Sequence, residues 1–167
     1  MEKHSRKNIR LKNYDYNTPG YYFITVCTKN KQKILCDIVG TGVLDGPQAV
    51  LFKYGDIAKK HIEKIKDFYP YLKIEKYTIM PNHIHFLIRV LENNGNGPSG
   101  TPVPTNSYIA KLMSTFKRFC NKEIGENIWQ SRSNDHIIRG EQDYLKIWNY
   151  IDTNPQKWSE DCFYVES

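Results

Sequence analysis

YTIMPNHIHFLIRV, residues 77–90, reads as the end of one strand and the start of another, joined at Pro81-Asn82. β-Branched and apolar residues fill both flanks, whereas proline cannot donate to a sheet ladder and Pro-Asn suits a tight connection. Residues 72–79 and 83–91 are therefore neighbouring strands. Side chains alternate along a strand, so Ile84, Phe86 and Ile88 share a face that packs against helices, and His83 and His85 share the opposite face. The two histidines point away from that packing, on a side open to an ion.

Outward from this pair, YYFITVCTK after Gly20 is rich in aromatic and β-branched residues and reads as a first strand. Residues 40–48, GTGVLDGPQ, form a turn-rich connection. Over residues 54–69, Ala58, Ile62, Ile65 and Tyr69 recur at helical spacing among lysines, and Pro70 stops the helix. ENNGNGPSGTPVPTNS, residues 92–107, is too polar and too rich in glycine and proline to pack, and reads as a flexible loop inside one domain that spans residues 1–167. A second helix starts near Ser107, with Ile109, Leu112, Met113, Phe116 and Cys120 on one side. Residues 129–138 give a short fourth strand. A third helix runs from Glu141 to Asn154, where Pro155 forbids continuation. Two strand-helix-strand halves predict an α+β, ferredoxin-like antiparallel sheet of about four strands, with helices on one face and an additional C-terminal helix.

The chain has 167 residues, with 24 Lys+Arg against 18 Asp+Glu and a formal net charge of +6, a balance that favours polyanionic partners. Twelve tyrosines add rings on which unpaired bases could stack. Cys27, Cys36, Cys120 and Cys162 show neither C-x-x-C nor zinc-finger spacing and read as reduced thiols of a cytoplasmic protein. The basic, polar N-terminus has no apolar core, and no window approaches the roughly 18 apolar residues of a membrane span.

Neutral imidazole is a frequent ligand for divalent ions, and two on one face of a strand make a preorganised half-site. On spacing alone, H-x-H fits equally a pair of hydrogen-bonded or surface histidines. No third His or Cys lies nearby in the sequence, which argues against structural zinc. In the last helix, Tyr144, Ile147, Trp148 and Ile151 form the buried stripe, while Tyr150 and Asn154 fall within about 40° of one another on its flank. That flank could offer a phenol and an amide oxygen to the same ion. On the residues alone, a packing Tyr150 and an Asn154 that caps the helix before Pro155 are the stronger readings.

MPNHIHFLI, FKRF, IWQSRSNDHIIRGEQDY and NYIDTNPQKW occur in this order, with YYFITVCT near the start. Together they resemble the REP-associated tyrosine transposases, within the wider HUH group of single-strand DNA transposases, over nearly the whole chain. The resemblance implies that His83 and His85 bind a divalent metal, Mg²⁺ or Mn²⁺, with Asn154 completing its site. It makes Tyr150, on the C-terminal helix, the catalytic nucleophile. It further implies cleavage and rejoining of single-stranded DNA, often at hairpins, through a 5′-phosphotyrosine, by a monomer or a homodimer. One departure stands out: Ser131, Arg132, Ser133 and Asn134 occupy a segment where many relatives carry aromatic residues, so no tyrosine nucleophile can lie there. Tyr144 is the nearest competitor to Tyr150, but it sits in the apolar stripe. Phosphate-positioning candidates are Lys3, Arg6, Lys7 and Arg10 in the N-terminal arm, then Lys117, Arg118, Arg132 and Arg139. Two other readings keep the same fold: a non-catalytic single-strand nucleic-acid-binding module, and a metal-dependent hydrolase that activates water.

Overall fold

The computed structural model describes residues 14–40, 46–66, 68–92 and 107–165. Its main sheet contains four strands, β1 (Gly20–Cys27), β4 (Leu72–Met80), β5 (His83–Val90) and β6 (Asn134–Ile138), in the spatial order β4-β5-β1-β6. Every neighbouring pair is antiparallel. A further two-stranded ribbon, β2 (Cys36–Val39) with β3 (Gln48–Leu51), flanks the segment read from sequence as a turn-rich connection. Each ribbon strand is four residues long, too short to establish a period-2 pattern. The fourth strand is also shorter than 129–138, because Trp129 makes only an isolated bridge to Thr28 before β6 begins.

Helices α1 (Lys53–Ile65) and α2 (Tyr108–Ile124) cover one face of the sheet. Ala58, Ile62 and Ile65 from α1, and Ile109, Leu112, Met113, Phe116 and Cys120 from α2, meet Tyr22, Ile24, Val26, Ile84, Phe86 and Ile88. α1 ends at Ile65, short of Tyr69. Ser107 caps α2 by accepting the Ala110 N–H at 3.1 Å, and Gly125 closes it in the left-handed conformation (φ +91°) that favours glycine. The first turn of α1 passes so close to the preceding loop that a Cβ on Gly55 would lie 2.0 Å from the Leu35 carbonyl oxygen. Only glycine fits there.

α3 (Glu141–Thr153) lies on the opposite face. Its Tyr144, Ile147, Trp148 and Ile151 pack on Tyr21, Phe23, Leu87 and Ile138, the stripe expected from the sequence. A bulge between Ile74 and Lys76 in β4 turns Lys76 toward this face, opposite Leu87. Its ammonium lies 3.9 Å from the centre of the Trp148 ring and pairs with Asp152. α3 is thus pinned at its middle by apolar burial and a cation–π contact. After Asn154, Pro155–Glu160 forms a 3₁₀ turn, and residues 161–165 run on beside His83, the Phe163 ring 4.7 Å from its imidazole.

Candidate functional site

The face of the sheet under α3 carries the histidines. Thr25 and Cys27 on β1, and Thr78 and Met80 on β4, flank His85 and His83 in register. They are not open to solvent: His83 is 0% exposed and His85 1%. Trp158 and Phe163 lie over His83, and Tyr150 and Phe163 over His85. Expecting an open side was reasonable for an isolated strand, but the C-terminal residues cover it.

Both imidazoles are aimed. The Asn82 amide nitrogen donates to the carbonyls of Lys31 (3.3 Å) and Phe163 (2.8 Å), which turns its Oδ1 to the Nδ1 of His83 at 2.8 Å. His83 Nδ1 must then donate, and its lone pair lies on Nε2. His85 Nδ1 meets the Thr25 hydroxyl at 2.8 Å, and a hydroxyl serves either tautomer. The two Nε2 atoms are 2.9 Å apart. Burial, followed by the charge of its neighbour His85, pushes the His83 imidazole down to about 2, and burial lowers His85 as well. Both rings are therefore neutral at physiological pH, the form that binds metal.

A third donor comes from outside the sequence motif. Asp161, 8% exposed, places its Oδ2 4.0 Å from both His83 Nε2 and His85 Nε2. A triangle with sides of 2.9, 4.0 and 4.0 Å has all three corners about 2.1 Å from one centre, the bond length of a divalent ion to nitrogen or oxygen. The donor set therefore fits such an ion. This carboxylate stands beside the His83, His85 and Asn154 set expected from sequence, and an ion held by it would surrender one unit of charge to its ligands.

Tyr150 and Asn154 converge on the same carboxylate. The Tyr150 phenol donates to Asp161 Oδ2 at 2.7 Å and lies 3.4 Å from His85 Nε2. The Asn154 amide nitrogen donates to that oxygen at 2.7 Å. Asn154 is 1% exposed, and its Oδ1 has no hydrogen-bond partner, an orphaned buried acceptor beside a candidate cation site. It is also the residue that ends α3 before Pro155. Burial, then the bond to Asp161, raises the Tyr150 phenol. Burial alone would raise Asp161 too, but the facing His85 imidazole, the Asn154 amide, the Phe163 backbone N–H and the phenol outweigh it and hold it well below the usual carboxylate range.

Two clefts meet at Tyr150. One of ≈ 370 Å³ lies between β6, α3 and Phe163. The other, of ≈ 140 Å³, reaches Asn154, Lys157 and Asp161. The phenol is accessible although its partners are buried.

The basic candidates are scattered. Lys3, Arg6, Lys7 and Arg10 lie outside the described residues, as does most of the 92–107 loop. Lys117 and Arg118 are on α2, across the sheet from Tyr150. Lys117 donates to the carbonyls of Gln130 (2.8 Å) and Ser131 (3.4 Å), and the Arg118 guanidinium lies 5.4 Å from the Phe119 ring centre. Arg132 and Arg139 are exposed at the two ends of β6. Sequence reasoning missed Asp161, Thr25 and Asn82. Asn82 lay inside the motif but read as a turn residue, and nothing periodic marks Asp161.

No known protein-family profile matches the chain. An uncharacterized Haemophilus influenzae protein is 36% identical over 178 residues, covering 98% of this chain and 95% of its own length. A second H. influenzae protein, provisionally named a REP-associated tyrosine transposase, is 24% identical over 152 residues, covering 88% of this chain and 77% of that protein. A solved structure of a REP-associated tyrosine transposase bound to a REP hairpin is similar over 89% of this chain and 73% of its own, with a TM-score of 0.60 and 22% identity. The ferredoxin-like fold is common to both structures.

Proposed function

We propose that this chain belongs to the family of the REP-associated tyrosine transposases, as its likeness to a protein provisionally so named supports, and that it cleaves and rejoins single-stranded DNA at hairpin-forming repeats through a covalent link to Tyr150. The observation that carries the reading is one oxygen atom: Asp161 Oδ2 faces both imidazoles and holds the Tyr150 phenol. Nucleophile and candidate ion site are thereby joined at a single carboxylate.

His83, His85 and Asp161 would hold the ion, with Asn154 Oδ1 as a fourth donor. Mg²⁺ or Mn²⁺ suits the oxygen donors and a phosphate substrate, and the imidazoles favour Mn²⁺ of the two. Bound there, the ion supplies positive charge that neutralises the phosphodiester and offsets the cost of ionising the phenol. Tyr150 Oη attacks phosphorus, forming the Oη–P bond as the P–O3′ bond breaks, and the electron pair leaves with O3′, which takes up a proton. The phenolic proton leaves to solvent through the cleft that opens on Tyr150, while the hydrogen bond to Asp161 holds the phenol in place. A 5′-phosphotyrosine and a free 3′-OH result. Because the phosphodiester energy is kept in the link, attack by a second 3′-OH reverses the step and joins strands. Arg132 and Arg139, with Arg6, Lys7 and Arg10 of the N-terminal arm, would position phosphates without reading sequence, whereas Lys117 is held by backbone carbonyls on the opposite face.

The test is incubation of a labelled single-stranded hairpin oligonucleotide with Mn²⁺, wild type beside Tyr150→Phe. Wild type should yield a denaturation-resistant protein–DNA adduct and Tyr150→Phe none. An adduct in Tyr150→Phe would remove the nucleophile, and cleavage without an adduct in wild type would favour activated water.

A further inference from the structure

The larger cleft beside Tyr150 is not accounted for by cleavage chemistry. It is lined by the Phe23 and Phe163 rings and Ile147 of α3, together with His85 and Tyr150 of the candidate site. Polar groups gather on the β6 side, where Asn134 and His136 pair in register with Thr25 and Phe23 and so project onto the α3 face. Lys146 of α3 also lines the cleft. An apolar slot bounded by rings, with hydrogen-bonding groups along one edge, suits a planar heterocycle that has two π-faces and one polar edge. At ≈ 370 Å³ the cleft falls at the small end of ligand sites, room for one such group and not for a run of them.

His136 is fixed as a reader would be. Its Nε2 donates to Asp143 Oδ2 at 2.9 Å, and the Arg139 backbone N–H holds the same oxygen at 3.0 Å. His136 is exposed, so this pair contributes little to the core. With Nε2 donating, a ligand would meet Nδ1 as an acceptor. Asp143 and Tyr150 lie seven residues apart on one face of α3, about 10 Å along its axis. His136 and Tyr150 line the same cleft, so a group held at His136 is within reach of a nucleotide whose phosphate meets the phenol.

We propose that this cleft is a nucleoside pocket for the nucleotide next to the scissile phosphate, with the base against the apolar surface that Phe23 and Ile147 present to the cleft and its edge read by His136 and Asn134. The proposal rests on the reading of Tyr150 as the nucleophile for its place in the reaction, but binding can be measured without cleavage. The probes are the four deoxynucleoside 5′-monophosphates, titrated into the metal-free full chain while the His136 imidazole and Phe23 ring are followed by NMR, with inorganic phosphate as control. Saturable shifts at both residues are expected, with one base favoured by about five- to tenfold. His136→Ala, at an exposed position, should keep the fold and lose that preference, and Ile147→Trp should fill the slot and abolish binding. No saturable shift at millimolar nucleotide, or equal shifts with all four bases and with phosphate alone, would overturn the pocket. Base-selective binding in a protein that forms no DNA adduct would sink the transposition chemistry and leave the pocket standing.

Discussion

Replacing Asp161 by asparagine separates the carboxylate's charge from its shape. The Phe163 backbone N–H, 2.7 Å from Asp161 Oδ1, keeps an acceptor. At the other position an NH₂ would replace the Oδ2 that accepts from Tyr150 and Asn154. The phenol can turn to accept, and the Asn154 amide can rotate to present its unpartnered Oδ1. Two charge-assisted bonds become neutral ones, at about 1 kcal/mol each, so folding should lose about 1–2 kcal/mol, a melting-temperature fall of a few degrees. Ion affinity should suffer more. Changes to outer partners of metal ligands cost about 10–100-fold, so removing a charged direct donor should cost at least that, or about 1.4–2.7 kcal/mol. The assay is calorimetric titration with Mn²⁺, supported by melting curves, because an ion at 100 times its Kd adds about 2.7 kcal/mol of stability. Asp161→Asn should lose most of that increment while its circular dichroism is unchanged. A Mn²⁺ Kd within twofold of wild type in the folded variant would refute Asp161 as a ligand, and Asn154→Ala would then have to abolish binding for the histidine–amide set to stand.

Thr25→Val removes the hydroxyl that aims His85 and should weaken Mn²⁺ binding by about tenfold with the fold retained; unchanged affinity would show that the tautomer is set elsewhere. Gly55→Ala gains about 1 kcal/mol of helix propensity but meets the Leu35 carbonyl at 2.0 Å, so the net loss should be about 2 kcal/mol or more in urea unfolding. In the metal-free protein, His83 is pushed down to about 2 in the fold from about 6.5 in the unfolded chain, which binds more protons between those values. Stability should therefore be fully present above about pH 6.5 and fall below it by ~1.4 kcal/mol per pH unit, about 2 kcal/mol by pH 5; a flat melting temperature over that range would contradict the burial. Arg132→Ala and Arg139→Ala should each reduce the slope of log affinity against log salt for single-stranded DNA by about 0.7, whereas Lys117→Ala, which loses two carbonyl contacts, should chiefly lower the melting temperature.

What the sequence determined by itself is whatever repeats along the chain. A strand reverses its side chains at every residue, so H-x-H had to place His83 and His85 on one face, opposite Ile84 and Phe86. A helix turns about 100° per residue, so the stripe of Tyr144, Ile147, Trp148 and Ile151 fixed which side of α3 is buried and put Tyr150 beside Asn154. Tertiary structure decided the rest. That α3 crosses the histidine face follows from Leu87, Phe23 and Ile138 needing cover there. Asp161 belongs to an irregular segment with no period to read, and it reaches the imidazoles only because Pro155 ends the helix and the Asn82 amide holds the Phe163 carbonyl. Local dihedral repeats announce themselves in sequence; the meeting of a loop carboxylate with two strand imidazoles depends on where distant backbone hydrogen bonds are satisfied.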